Sequence, residues 1–367
     1  MGFHQARRGG EIMSDTGSGR SRSGAPTIVD VARESGVSMK TVSRVVNRDP
    51  TVKAANREKV EAAIRKTGYR QNAFARGLRA RRSHVLGLLY ADARGDYPVE
   101  VLRGALTECR TSGYHLMVEM LSGTAVLDQV RDFVAKVSFD GVVLTPPVCD
   151  DRDILDYLAS EGIPIVRISP RPDIETGWKI GIDDRAAARE MTAYLLALGH
   201  TDIAHITGDA GQAASEARIA GFRDAMQAAG LEVDPARIVR GGFQFDDGYA
   251  AAHGLLKSDR RPSAIFAAND VAAAGVLAYA NELGLNVPQD VSIAGFDGGA
   301  VSRVVWPTLT TIEQPASALG RRAVSRLVEA ENGTAGPDND ALETLPHRLV
   351  VGRSTHAPAD RQDEKGA

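Results

Sequence analysis

Cysteine is scarce in this chain: Cys109 and Cys149 are its only two, and neither sits in a CxxC or other metal-ligand spacing. That argues against a disulfide framework and a zinc cluster, and fits a reducing cytoplasm. No apolar run approaches the ~20 residues a membrane helix needs. The first 25 residues are Gly/Ser/Arg-rich, lack the apolar stretch of a secretory signal and read as a disordered tail, with Met13 an alternative start. Catalytic signatures are missing as well. There is no GxGxxG after a strand, no GxxxxGK[ST], no GxSxG and no HExxH. The eight histidines are scattered, and His200 reads as a structural loop residue. No period of 20–50 residues points to a solenoid. The expectation is a protein with no catalytic residue, no metal and no cofactor, hence not an enzyme.

What is present begins with charge. Residues 1–82 carry 18 Lys and Arg against 7 Asp and Glu, while the rest carries 26 against 40. A basic head on an acidic body suggests that the head meets a polyanion and the body does not. A solvated basic tail would look the same by charge alone, so the decision falls to the pattern of residues 27–70. A length of 367 residues with 43% apolar content suits two or three folding units with sizeable cores.

That pattern predicts three short amphipathic helices. Thr27 with Asp30 makes a capping-box-like start, Ile28, Val31 and Ala32 form an apolar face, and Gly36 permits a tight turn. Ser38 caps a second helix, Met39 to Val46, with Val42, Val45 and Val46 inward, and Pro50 ends it. A third runs from about Ala54 to Lys66, closed by Gly68. A helix, a tight turn and a second helix with outward N-terminal side chains make a helix-turn-helix. Lys40 and Arg44 can donate to guanine or phosphate, Thr41 and Ser43 are short enough for either, and Met39 offers contact to a thymine methyl. A small packing module with solvated Lys and Arg is the bland alternative.

From Val85 strands alternate with helices. Apolar strand candidates lie at 85–90, 115–120, 141–145, 163–168, 203–207, 264–268 and 291–296, separated by helical stretches of 10–15 residues. Such alternation over more than 250 residues predicts parallel, doubly wound sheets, and the length suits two lobes.

The runs TIVDVARESGVSMKTVSRVVN, REKVEAAIRKTGYRQN and FARGLR closely resemble the LacI/GalR family of bacterial transcription regulators. The resemblance continues through GHTDIAHITGD, AANDVAAAGVL, VSIAGFD and PTLTTIEQP to LVVGRST, and so spans residues 27–355. It implies a cytoplasmic homodimer on a pseudo-palindromic operator, with a two-lobed, periplasmic-binding-protein-like core that holds a small sugar-like effector. The implied organisation is a tail (1–25), a helix-turn-helix domain (26–70), a hinge helix and linker (71–83), a core (84–357) and a flexible tail (358–367). Lobe one would comprise about 84–181 and 313–338, lobe two about 182–310 and 341–355. The DNA contacts implied are Thr27, Ser38, Met39, Lys40, Thr41, Ser43, Arg44 and Asn47, with Asn72, Ala75 and Leu78 from the hinge. Leu78 matches a wedge that opens a base step in the minor groove; without the family, a Leu in a basic helix reads as core or dimer seam. Two departures stand out. Gly77 costs ~1 kcal/mol relative to Ala inside a helix, so the hinge is expected to fold only on DNA. Lys53 replaces the usual N-cap of the third helix.

The resemblance further implies an effector site of Tyr90, Asp92, Arg167, Ser169, Arg218, Phe243, Asn269, Asp297 and Gln314. Asp and Arg can each engage two hydroxyls and an aromatic face packs on sugar C–H groups. Asn269 and Asp297 could instead be caps or turn formers, and Arg218 an inter-lobe ion pair. Arg167 and Ser169 stand where many sugar-sensing relatives carry an acid, which points weakly toward an anionic or amidated sugar.

Overall fold

The computed structural model describes residues 26–46, 49–69, 82–91, 95–334 and 341–358. The chain divides into two compact units, residues 1–76 and 77–367. Asn47, Asn72, Ala75, Gly77, Leu78 and Asp92 lie outside the described residues.

The first unit contains α1 (Ile28–Ser35), α2 (Met39–Val46) and α3 (Ala54–Thr67). At the start of α1 the Asp30 carboxylate accepts from the Thr27 backbone N–H at 2.9 Å and from its hydroxyl at 2.7 Å. Gly36 adopts a left-handed φ of 67° and its N–H closes α1 on the Ala32 carbonyl, a conformation that would strain a side chain. The Ser38 hydroxyl accepts from the Thr41 N–H at 3.2 Å, capping α2 as expected. Lys53 precedes α3 without a side-chain cap. Val31, Val42, Val45, Val60 and Ala63 are buried together, and Lys66 bonds Glu34 at 2.6 Å to join α3 to α1. So small a core is marginal by itself.

The second unit holds two six-stranded sheets. The first contains β1 (Val85–Ala91), β2 (His115–Leu121), β3 (Gly141–Leu144), β4 (Ile165–Ile168), β5 (Trp178–Gly181) and β11 (Glu343–Thr344). Its order is β11-β5-β4-β3-β1-β2, all parallel. The second contains β6 (Ile203–Ile206), β7 (Ile238–Val239), β8 (Ala264–Ala267), β9 (Ser292–Asp297), β10 (Thr310–Glu313) and β12 (Arg348–Val350). Its order is β12-β10-β9-β8-β6-β7, with only β12 antiparallel. Both lobes thus repeat the order 2-1-3-4-5, in which ligands bind beyond the carboxyl ends of the strands.

Helices cover both faces of each sheet, as doubly wound sheets require. In lobe one α4 (Asp96–Ser112) and α12 (Ala316–Glu331) pack on one face, α5 (Val126–Lys136) and α6 (Arg152–Ser160) on the other. In lobe two α7 (Asp184–Ala197) and α8 (Ala213–Ala228) oppose α9 (Phe245–Leu256) and α10 (Asp270–Glu282), and the short α11 (Ala300–Val304) follows β9. The backbones of α4 and α12 meet closely at Gly104 and Gly320, where an added Cβ would lie 1.9 Å from the Ser317 carbonyl oxygen and 2.0 Å from that of Val101.

All seven expected strands form, but one boundary needs correction. Residues 341–355 were assigned to lobe two, yet Glu343 and Thr344 pair with Ile180 and Gly181 in lobe one. Leu345 explains this, since its N–H bonds the Gly181 carbonyl and its side chain packs on the lobe-one core. The chain crosses to lobe two only at β12. β5, β7, β10, β11 and β12 have no counterpart among the seven expected strands; the sequences WKIG, TTIE, ET and RLV interrupt apolar with polar residues and β7 is two residues long, so none shows the apolar run that marks a buried strand.

Candidate nucleic-acid interface and ligand cleft

On α2, Val42 and Val45 turn into the core while the opposite face stays open. Met39 is 55% exposed, Lys40 and Arg44 are exposed, and Thr41 and Ser43 are half-buried. Arg44 is not a free arm. Its Nε donates to Asp49 Oδ2 at 2.8 Å and its Nη2 to the Thr51 hydroxyl. Asp49 also accepts from the Thr51 hydroxyl and N–H. Hydrogen bonds from Thr51, then Arg44, hold the Asp49 carboxyl well below the usual carboxylate range. The arginine is thereby held beside α2 in a defined orientation before it meets a partner.

Between the lobes lies a cavity of about 270 Å³. Ser169 and Thr145 reach it from the ends of β4 and β3, and Asp96 and Tyr97 from the first turn of α4. Lobe two supplies Asp209 and Gln212 before α8, Arg218 within α8, Phe243 and Gln244 before α9, Asn269 after β8, Asp297 at the end of β9 and Gln314 after β10.

The Arg218 guanidinium is buried and oriented. Asp184 accepts from Nε at 2.9 Å and lies 2.8 Å from Nη2, while Nη1 donates to the Ala268 carbonyl at 2.7 Å. The Phe296 ring lies 3.6 Å beneath it. Three of five donors are used, leaving two. Asn269 accepts from the Ala272 N–H at 2.8 Å and donates to the Phe243 carbonyl at 3.1 Å, so it caps α10 as well as lining the cavity. The Asp297 carboxylate accepts from Gln314 Nε2 at 2.7 Å, and burial raises its pKa to about 6. Burial also raises the Asp209 carboxyl, with Asp247 adding to the effect. Ser169 and Asp297 both have positive φ, 49° and 107°; side chains held in such conformations cluster where a ligand is gripped.

Asp96 and Arg171 of lobe one both reach lobe two. The Val301 N–H donates to Asp96 Oδ2 at 3.1 Å. Arg171 from lobe one reaches Glu216 on α8 at 3.2 Å and the Gly211 carbonyl at 3.4 Å.

Six of the nine effector residues named from the sequence therefore line one cavity: Ser169, Arg218, Phe243, Asn269, Asp297 and Gln314. Arg167 does not. It is fully buried and donates to the carbonyls of Cys149 (2.6 Å) and Ile174 (2.8 Å) and to Asp150 (2.6 Å). Its charge is consumed in tying the loops around β4 together, so the weak case for an anionic ligand loses its basis. Tyr90 packs on the lobe-one core and is not a lining residue. Sequence reading missed Asp96 and Tyr97, whose hydroxyl lies 3.2 Å from Ser169 Oγ; their place just after the end of β1 was the available signal. It also missed Thr145, Asp209, Gln212 and Gln244.

A helix-turn-helix head and a cleft between two doubly wound lobes define a ligand-responsive DNA-binding regulator. The comparisons agree. Residues 27–72 match the bacterial regulatory proteins of the lacI family, and residues 192–355 a periplasmic binding protein-like domain. Catabolite control protein A of Priestia megaterium is 32% identical over 332 residues, covering 90% of this chain and 99% of the relative. The ribose operon repressor of Escherichia coli K12 is 33% identical, covering 82% and 92%. A lac repressor dimer solved with operator and the anti-inducer ONPF superposes with a TM-score of 0.80 at 28% identity, covering 91% of this chain and 100% of that one. The chain belongs to the LacI family of DNA-binding transcriptional regulators.

Proposed function

We propose that this protein is a homodimeric repressor of carbohydrate-utilisation genes, with operator binding by α2 controlled by a sugar-like effector in the cleft. The observation that carries this is the convergence of Arg218, Asn269, Asp297 and Gln314, each oriented by a protein partner, on one cavity with an aromatic wall at Phe243. Fixed donors and acceptors beside an aromatic face suit a polyhydroxylated ligand. In the head, Met39, Lys40, Thr41, Ser43 and Arg44 read base edges and phosphates, with Thr27, Ser38 and Asn47 at its edges. Asn72, Ala75 and Leu78 supply the minor-groove contacts. The domain division is that of the sequence reading, amended at residues 343–344. The dimer of the lac repressor relative supports a dimer here, as do Val99, Leu106, Val304 and Trp306, large apolar side chains left exposed on α4, on α11 and just beyond it. Family membership and the missing catalytic signatures favour a regulator over an enzyme.

The test is selection of a binding site from random duplexes, followed by titration at physiological salt with and without candidate sugars. Preference for one inverted repeat over random duplex, altered by a sugar, is expected. Equal binding to both would sink the reading.

A further inference from the structure

The cleft's charge distribution says more about the effector than its hydrogen-bonding groups do. Three carboxylates line it: Asp96, Asp209 and Asp297. Among the described residues the one lining cation is Arg218, and Asp184 already pairs with it at 2.8 Å. Arg171, which reaches across to lobe two, is tied to Glu216 and Asp173.

Helix N-termini are the other common anion attractors, through unpaired N–H groups and the helix dipole. Four helices that begin beside lining residues carry their own acid, whereas α12, just after Gln314, carries none in its first turn. First-turn acids are Asp96 on α4, Glu216 on α8, Asp246 and Asp247 on α9, and Asp270 on α10. Several are bonded to backbone donors nearby: Asp247 accepts from the Gln244 N–H at 3.0 Å and Asp270 from the Gly299 N–H at 2.9 Å. An incoming phosphate or carboxylate would find these positions taken and like charge around it.

We propose that the cleft selects an uncharged polyol and rejects sugar phosphates and sugar acids. This deepens the effector reading above and rests on it. Discrimination is negative: like-charge juxtaposition costs enough to change affinity by at least about a hundredfold.

The full chain is tested by tryptophan-detected thermal unfolding. Trp178 and Trp306, the only two tryptophans, both belong to the second unit, so the signal reads the core and not the basic head. Glucose, galactose, fructose and ribose are each paired with their own phosphates, and gluconate and inorganic phosphate are added at matched ionic strength. The expected result is a saturable rise in Tm with at least one uncharged sugar, and none with its phosphate, gluconate or inorganic phosphate at a hundredfold higher concentration. A saturable rise with inorganic phosphate, or with a sugar phosphate whose parent is silent, overturns the proposal. If neither sugars nor anions shift Tm, the sugar reading and this proposal fall together, whereas a sugar and its own phosphate shifting Tm alike would overturn this proposal alone.

Discussion

The head and the body of this regulator solve opposite problems. The head sets five of its candidate contacts, Met39, Lys40, Thr41, Ser43 and Arg44, on one exposed helix and carries a surplus of positive charge. The body draws its site from segments spread between Asp96 and Gln314, half-buries most of it and surrounds it with carboxylates. One site faces a polyanion and is legible locally; the other must be assembled by the fold. The same residue type follows different rules in each. Arg44 is an exposed donor held by Asp49, Arg218 an ion-paired wall of the cleft, and Arg167 a buried brace.

The largest expected effect separates brace from ligand group. Removing one partner of a buried ion pair costs about 3–5 kcal/mol, so Arg167→Ala should lower core stability by that order in urea-induced unfolding followed by tryptophan fluorescence. Near wild-type stability with a selective loss of effector affinity would return Arg167 to the site. Arg44→Ala tests the head. It should weaken operator binding by about 1–3 kcal/mol, roughly 5- to 150-fold, and leave effector affinity intact in a calorimetric titration. Loss of both would mean misfolding instead.

pH sharpens the contrast through Asp297 in the body's site. The Asp297 pKa of about 6 lies above the ordinary carboxylate value, so its burial favours the protonated form. Its contribution to stability is fully present below about pH 4 and is lost as pH rises through about 6. A ligand hydroxyl donating to the ionised carboxylate has the opposite slope. Effector affinity should therefore fall as pH drops through about 6, by up to about tenfold at pH 5, measured by calorimetry at fixed salt. A flat profile from pH 5 to 7.5 would remove Asp297 from ligand contact. The smallest effect belongs to Arg171→Ala. Its partner Glu216 is exposed, so the cross-lobe pair should change effector affinity by no more than about fivefold, with high salt reducing the difference. A larger, salt-independent change would make that contact a structural hinge pin.

How much of this could be read from the sequence follows the same division. In the head, capping by Thr27, Asp30 and Ser38, the turn at Gly36 and the ends of α2 all follow from local chemistry, and the structure agrees to the residue. In the body, seven strands were legible from apolar runs, while β5, β7, β10, β11 and β12 have mixed or two-residue sequences and owe their strand form to pairing with the sheets. Asp96 and Tyr97 were missed although they open the helix that follows β1, because that position marks the strand end and not which side chains turn into the cavity. Arg167 and Ser169 lie two residues apart on the same strand path, yet one is sealed beneath the loops at 149 and 174 and the other reaches the cavity. No local pattern separates them, since the loops that cover Arg167 are themselves non-local.

The most direct test of a conditional DNA grip is reciprocal titration. Operator affinity is measured by fluorescence anisotropy with and without a saturating sugar from the screen, and the sugar's affinity with and without saturating operator. Two coupled sites must change each other's affinity by the same factor, and a factor between about 5 and 150 is expected. Operator affinity that stays constant across saturating sugar would show that head and body act independently, and the regulatory reading would fall.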